Sequence, residues 1–127
     1  MNVLIIDDDA DVREAISLLL SSEGHHSVAV NDGHQALECL EQGVPVCLIL
    51  LDLMMPGMNG AEFRAKQRLD PRISSIPVVI ITADGNAEGK ARQLEVDGVL
   101  RKPMDAAILV STVRKYCPAD PSLALPS

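Results

Sequence analysis

Val46-Cys47-Leu48-Ile49-Leu50-Leu51-Asp52 opens with the longest unbroken apolar run in the chain, and a carboxylate ends it. Alternating polar and apolar residues would mark a strand wetted on one face. Continuous apolar residues mark a strand covered on both faces, which is the habit of parallel sheets. Two further runs share this character, Val3 to Ile6 and Ile76 to Ile81, with shorter ones at Ser27 to Val30 and Val99 to Leu100.

The segments between these runs have helical spacing. Val12, Ile16, Leu19 and Leu20 make one stripe, preceded by Asp9 and Asp11 as N-cap candidates. Ala36, Leu37 and Leu40 make a second, opened by Asn31 or Asp32 and stopped by Gly43. Leu109, Val113 and Tyr116 make a last one behind Asp105. Gly60 to Leu69 reads as a poorer helix, because Arg64, Lys66, Gln67 and Arg68 leave a thin apolar face. Ala87 to Val96 is weakened by Gly89. Strand and helix alternate five times, which predicts an α/β fold: a doubly wound, five-stranded parallel sheet with helices on both faces. The expected domain spans residues 1–116. Residues 117–127, with Pro118, Pro121 and Pro126, read as a flexible tail.

Composition narrows the function. The net charge is −7, with no Trp, one Tyr and one Phe, so there is neither a basic field for phosphates nor an aromatic platform for bases. Direct nucleic-acid binding is not expected. No apolar run is long enough to cross a bilayer, and the N-terminus lacks the charged start of a signal peptide, so no membrane insertion is expected. Cys39, Cys47 and Cys117 are odd in number and have no C-x-x-C spacing. Cys39 and Cys47 read as small core residues in a reducing, cytoplasmic compartment.

Ligands of open parallel sheets bind beyond the carboxyl ends of the strands. There the sequence places Asp7, Asp8 and Asp9, then Asp52, Thr82 and Lys102. Singly, each has an ordinary reading: an N-cap, a strand hydroxyl, a solvated lysine. Together they put carboxylates, a hydroxyl and an ammonium on one sheet edge. Like charges about 4 Å apart repel by about 4 kcal/mol at an effective dielectric of 20, so the carboxylates call for a cation among them. Hard oxygen ligands with room for water suit magnesium better than zinc.

Leu4-Ile5-Ile6-Asp7-Asp8-Asp9, the segment Leu48 to Gly60 containing Asp52 and Pro56, Ile80-Ile81-Thr82-Ala83 and Lys102-Pro103 resemble, in order and spacing, the receiver domain of bacterial response regulators. The resemblance covers about residues 2–116. It implies a flavodoxin-like fold and Asp52 as phosphoacceptor for a sensor histidine kinase or histidine phosphotransfer protein. It further implies magnesium held by Asp7, Asp8, Asp52 and the Met54 backbone carbonyl, and signalling through a downstream protein target. Thr82 and Lys102 would bind the phosphoryl oxygens, and Pro103 resembles the family's cis-proline turn. Such a domain is no enzyme beyond its own phosphorylation and dephosphorylation.

Two departures qualify the likeness. Val99 stands where many receivers carry Tyr or Phe, so a coupled threonine–aromatic switch is not available. Thr82 and Lys102 are 20 positions apart, about two fewer than is common, which predicts a shortened fourth helix or following loop. Transmission is then expected to begin at Asp84 to Lys90, where two glycines leave little to dock. A rival reading is a haloacid-dehalogenase-like phosphatase with Asp7 as nucleophile, given Asp7-x-Asp9. A flavodoxin-type nucleotide site lacks its Gly- or Ser/Thr-rich loop. A calcium loop from Asp7 lacks its Gly and Glu.

Overall fold

A computed structural model describes residues 1–54 and 58–118. Five parallel strands, β1 (Asn2–Ile6), β2 (His26–Val30), β3 (Val46–Asp52), β4 (Val78–Thr82) and β5 (Gly98–Arg101), lie in the order β2-β1-β3-β4-β5. Between and after them run α1 (Ala10–Ser22), α2 (Gly33–Glu41), α3 (Gly60–Leu69), α4 (Ala87–Leu94) and α5 (Ala106–Tyr116). This is the doubly wound α/β fold the sequence predicts.

β3 is central and buried over its whole length, so alternate residues feed two separate cores. Leu48 and Leu50 join Val3, Ile5, Ile16, Leu20, Leu109 and Val113 on the face covered by α1 and α5. Ile49 and Leu51 join Leu4, Ile6, Ala36, Leu40 and Phe63 on the face covered by α2 and α3. Local chemistry sets the helix starts. Asp9, Asp32, Asn59 and Asp105 each accept a backbone N–H of the first turn that follows, satisfying donors that have no intrahelical partner. Gly43, at φ +82°, turns the chain after α2 in a conformation other residues resist.

α3 and α4 correct the reading of α3 as a helix with only a thin face to bury. Arg64 and Gln67 are themselves buried. The Arg64 guanidinium donates from Nε to Leu94 O (3.1 Å), from Nη2 to Glu95 O (2.6 Å) and from Nη1 to Gln67 Oε1 (2.7 Å). Gln67 Nε2 passes the chain on to Ile73 O and Ile76 O, both at 3.0 Å. Arg64 thus satisfies carbonyls at the end of α4, where a cation also suits the helix dipole. Helix α4 ends at Leu94, two residues before the expected boundary, and Glu95 turns out of it in the left-handed region (φ 54°).

The cysteines also depart from expectation. Cys47 and Cys117 are joined by a disulfide across 70 residues, with Cα atoms 5.6 Å apart. The cause is topological: α5 runs back over the sheet, so its end reaches the edge where β3 begins. Cys117, expected to open the flexible tail, is 3% exposed and caps α5. The remainder of the expected tail, from residue 119 on, lies outside the described residues. Cys39, on α2, is free and half-buried, packed against the margin of the core instead of fully inside it. No helix among the described residues is long and apolar enough to cross a membrane.

Candidate functional site

Parallel strands all deliver their last residues to one edge. There β1 hands over to Asp7 and Asp8, β3 ends in Asp52, β4 ends in Thr82, and Lys102 follows β5. One carboxylate oxygen from each of Asp7, Asp8 and Asp52 lies within 4.8 Å of the others. Asp8 is exposed; Asp7 and Asp52 are buried. The Lys102 ammonium stands 2.9 Å from Asp7 Oδ2 and 3.4 Å from Asp52 Oδ2. The Lys102–Pro103 peptide is cis, as the resemblance implied. A cleft of about 440 Å³ opens over this group, lined by Asp8, Asp9, Asp52, Met54, Ala83, Asp84 and Lys102.

Each group has a definite tether. Asp7 Oδ1 accepts the Asp9 amide at 2.9 Å, and Arg13 Nη1 donates to Asp7 O at 2.7 Å. Asp52 Oδ1 accepts the Met54 amide at 3.0 Å. Thr82 Oγ1 accepts the Asp84 amide at 3.1 Å, leaving its own proton to donate. The Asp84 carboxylate is held by the Asn86 amide at 2.7 Å and by the Lys90 ammonium. Behind Asp52, the start of α3 presses directly on the strand. A side chain at Gly60 would lie 2.8 Å from both Asp52 O and Leu53 Cα. Met58 packs in the same way against Gly33, so it is a loop anchor. Met54 is 66% exposed beside the cleft, while Met55, Pro56 and Gly57 lie outside the described residues.

Electrostatics reflects the crowding. Burial, opposed by the Met54 amide and reinforced by the Asp7 charge, pushes the Asp52 carboxyl up to about 6 despite Lys102. Burial alone would lower Lys102, but its close ion pair with Asp7 and the attraction of both buried carboxylates leave it above the usual lysine range. Lys102 therefore neutralises part of the cluster and not all of it. Asp7 Oδ2, fully buried, receives no hydrogen bond of proper geometry. An oxygen left in that condition, facing two further carboxylates, is what a hard divalent cation would satisfy, so the donor set fits such an ion. His25, His26 and His34 form no comparable group among the described residues.

The fold class is thus that of doubly wound α/β domains whose chemistry sits in the loops at the strand ends. The chain belongs to the response regulator receiver domain family, whose description matches residues 3–114. The DNA-binding response regulator MtrA of Mycolicibacterium paratuberculosis is 37% identical over 114 residues, covering 88% of this chain and 49% of that protein. The chain therefore spans about half the length of the MtrA relatives it matches. A 14.6 kDa protein encoded in the sodA1 3′ region of Leptolyngbya boryana is 32% identical over 123 residues, covering 95% of this chain and 93% of that one. Among solved structures, the Vibrio cholerae chemotaxis protein CheY4 superposes with a TM-score of 0.82 at 27% identity, over 91% of this chain and 98% of that one.

The protein is a receiver domain of two-component response regulators, and such domains are signalling domains, not turnover enzymes. The phosphatase reading with Asp7 as nucleophile is not supported. Asp7 is buried and committed on one oxygen to the Asp9 amide, whereas the cleft opens on Asp52 and Asp8. Sequence reasoning singled out the residues that meet here but missed Arg13, and it named Asp84 only as the start of the transmitting segment, not as a tether of the Thr82 loop. Arg13 gave no signal, being one more charged residue beside the apolar stripe of α1. Asp84 lay two residues beyond Thr82, within reach of an Asx-type turn.

Proposed function

We propose that Asp52 accepts a phosphoryl group from a phosphohistidine of a sensor histidine kinase or phosphotransfer protein, and that the altered surface is read by a downstream protein. One observation carries this reading. Asp52 is a buried carboxylate at the end of the central strand, facing an open cleft, with an ammonium 3.4 Å away. In the transfer, an Asp52 oxygen forms the new O–P bond as the N–P bond of the donor breaks. Phosphoryl transfer depends on positioning and on neutralising the equatorial oxygens. Lys102 supplies one positive charge, and the Thr82 hydroxyl has a proton to offer. Asp7, Asp8, Asp52 and the Met54 carbonyl would hold magnesium, which supplies charge neutralisation at the phosphoryl oxygens when bound. Phosphorylation from a small-molecule phosphodonor fits the same arrangement.

The route outward starts at Thr82. Engagement of its hydroxyl by a phosphoryl oxygen would perturb the Asp84 amide bonded to it, and through Asp84 the start of α4. Asn86 makes no side-chain cap there, so this end of α4 is weakly held. The MtrA relatives carry DNA-binding in their names; the acidic composition of this chain supports protein contacts instead. The test is intact mass after treatment with a small acyl phosphate and magnesium. One phosphoryl adduct, lost in Asp52→Asn, is expected; equal labelling of the variant would refute the assignment.

A further inference from the structure

We propose that Cys47 and Cys117 form a reversible redox modification site, a dithiol–disulfide couple that fastens and releases the end of α5. The disulfide itself is a feature of the fold; the inference concerns its reversibility and what it controls. Three observations support it.

First, both redox states are accommodated. The Cys47 sulfur lies 3.4 Å from the Asn2 carbonyl, so a Cys47 thiol has an acceptor waiting. Both residues sit among buried apolar side chains such as Val3, Leu48 and Val113. As thiols they would pack there as small hydrophobes. A domain of this size with two apolar cores needs no staple to fold. Second, Cys47 borders an open cavity of about 630 Å³, shared with Val44, Pro45, Ile76, Pro77 and Tyr116. That opening gives a reductant an approach to the Cys47 sulfur. Third, the bond ends on the C-cap of α5, where the other ties are the Cys117 amide bonded to Val113 O at 2.8 Å and the exposed Arg114–Glu23 ion pair at 3.1 Å. Breaking the disulfide leaves the last turn of α5 held by ordinary packing and one solvent-exposed ion pair.

The chemistry is thiol–disulfide exchange with a dithiol reductant. Its thiolate attacks Cys47 Sγ, the Cys47–Cys117 bond breaks, and Cys117 leaves as a thiolate that takes up a proton. The reductant's second thiol then attacks the mixed disulfide, releasing the Cys47 thiol and the reductant's own disulfide. Two electrons and two protons pass to the protein. An oxidised dithiol or oxidised glutathione reverses the reaction. Asp52 lies at the far end of the same strand, roughly 17 Å away at the strand rise per residue. The modification is therefore separate from the acidic cleft, and its test does not depend on the role of Asp52.

The full chain would be equilibrated in glutathione buffers of graded ratio, acid-quenched, unfolded, capped with a maleimide and weighed. One label at the oxidising end (Cys39) and three at the reducing end, joined by one reversible transition, are expected. Amide exchange should run at least about tenfold faster at residues 113–117 in the reduced form, with β1 and β3 still protected. Cys47→Ser and Cys117→Ser should each reproduce the reduced pattern and ignore the glutathione ratio, while Cys39→Ser should still respond. Three labels at every ratio, loss of protection across the whole sheet on reduction, or identical exchange of α5 in both forms would each overturn the proposal.

Discussion

The Arg64–Gln67 cluster and the Asp7–Asp52–Lys102 cluster both bury charge, but they treat it in opposite ways. Around Arg64 every guanidinium nitrogen donates to an oxygen, and Gln67 passes the hydrogen bonds on to two more carbonyls. Around Asp52 three carboxylates meet one ammonium, and a buried Asp7 oxygen lacks a proper donor. The first arrangement is closed and makes α3, the end of α4 and the loop before β4 into one unit. The second is open, holding electrostatic demand that an incoming cation or phosphoryl contact can meet. Fully paired buried polar groups rigidify; incompletely paired ones are where binding free energy can be gained.

Breaking the closed cluster should cost the most. Arg64→Met removes three hydrogen bonds and leaves Gln67 and the carbonyls at the end of α4 without their donor. Chemical denaturation should show a loss of about 3 kcal/mol, with faster amide exchange at residues 94–96. A loss under about 1 kcal/mol would mean that water replaces the guanidinium and that the cluster is not closed.

Relieving the open cluster should have the opposite sign. The Asp52 carboxyl is raised to about 6 by burial before any other influence. A group raised in the folded state contributes fully below its unfolded value, and the contribution is lost as pH rises through the folded one. The charged Asp52 therefore weakens the metal-free fold above pH 6. Asp52→Asn should stabilise that form at pH 7.5 by about 2–3 kcal/mol, the gain shrinking as pH falls from about 6 to about 4. Excess magnesium should reduce the gain or reverse it. Thermal melts in chelator, at both pH values, would decide; a variant less stable than wild type at pH 7.5 would show the carboxylate to be satisfied already.

Asp8 sharpens the contrast from its exposed side. Asp8→Ala should weaken magnesium binding at least about tenfold while leaving the metal-free melting temperature nearly unchanged. Calorimetric titration suits a chain without Trp, and unchanged affinity would remove Asp8 from the metal set. The smallest effect concerns the loose end of α4. The three atoms nearest a Cβ at Gly89 all belong to the Asn86 side chain, which makes no cap bond and can turn aside. Gly89→Ala should therefore stabilise the domain by about 0.5–1 kcal/mol through helix propensity. A net loss would show that Asn86 is held in place after all.

The open cluster was legible in the sequence because each of its residues lies within two positions of the end of an apolar run. Counting along a parallel strand places its end, and Asp7, Asp8, Asp52, Thr82 and Lys102 meet where the count puts them. The closed cluster was not. Arg64 and Gln67 look like residues of a solvated face, since the partners of Arg64 are carbonyls 30 and 31 positions away and those of Gln67 lie in the loop before β4. Nor could composition pair Cys47 with Cys117, whose proximity follows from the path of α5 over the sheet. Sequence periodicity reports which way a side chain faces; it says little about which distant backbone atom has been left needing a donor.

Gly60 carries a consequence for how this surface can vary. The missing carbon is the space in which helix α3 touches the strand that delivers Asp52, and the atoms it would strike are backbone atoms that cannot rotate away. At Gly85, by contrast, an added carbon meets nothing within 4 Å. In a saturation library scored for phosphoryl acceptance, Gly85 should tolerate most side chains and Gly60 almost none, although neither glycine has a side chain to offer the phosphate. The substitution spectrum would then outline the shape of the reaction centre from behind, through a residue whose contribution is the volume it leaves empty.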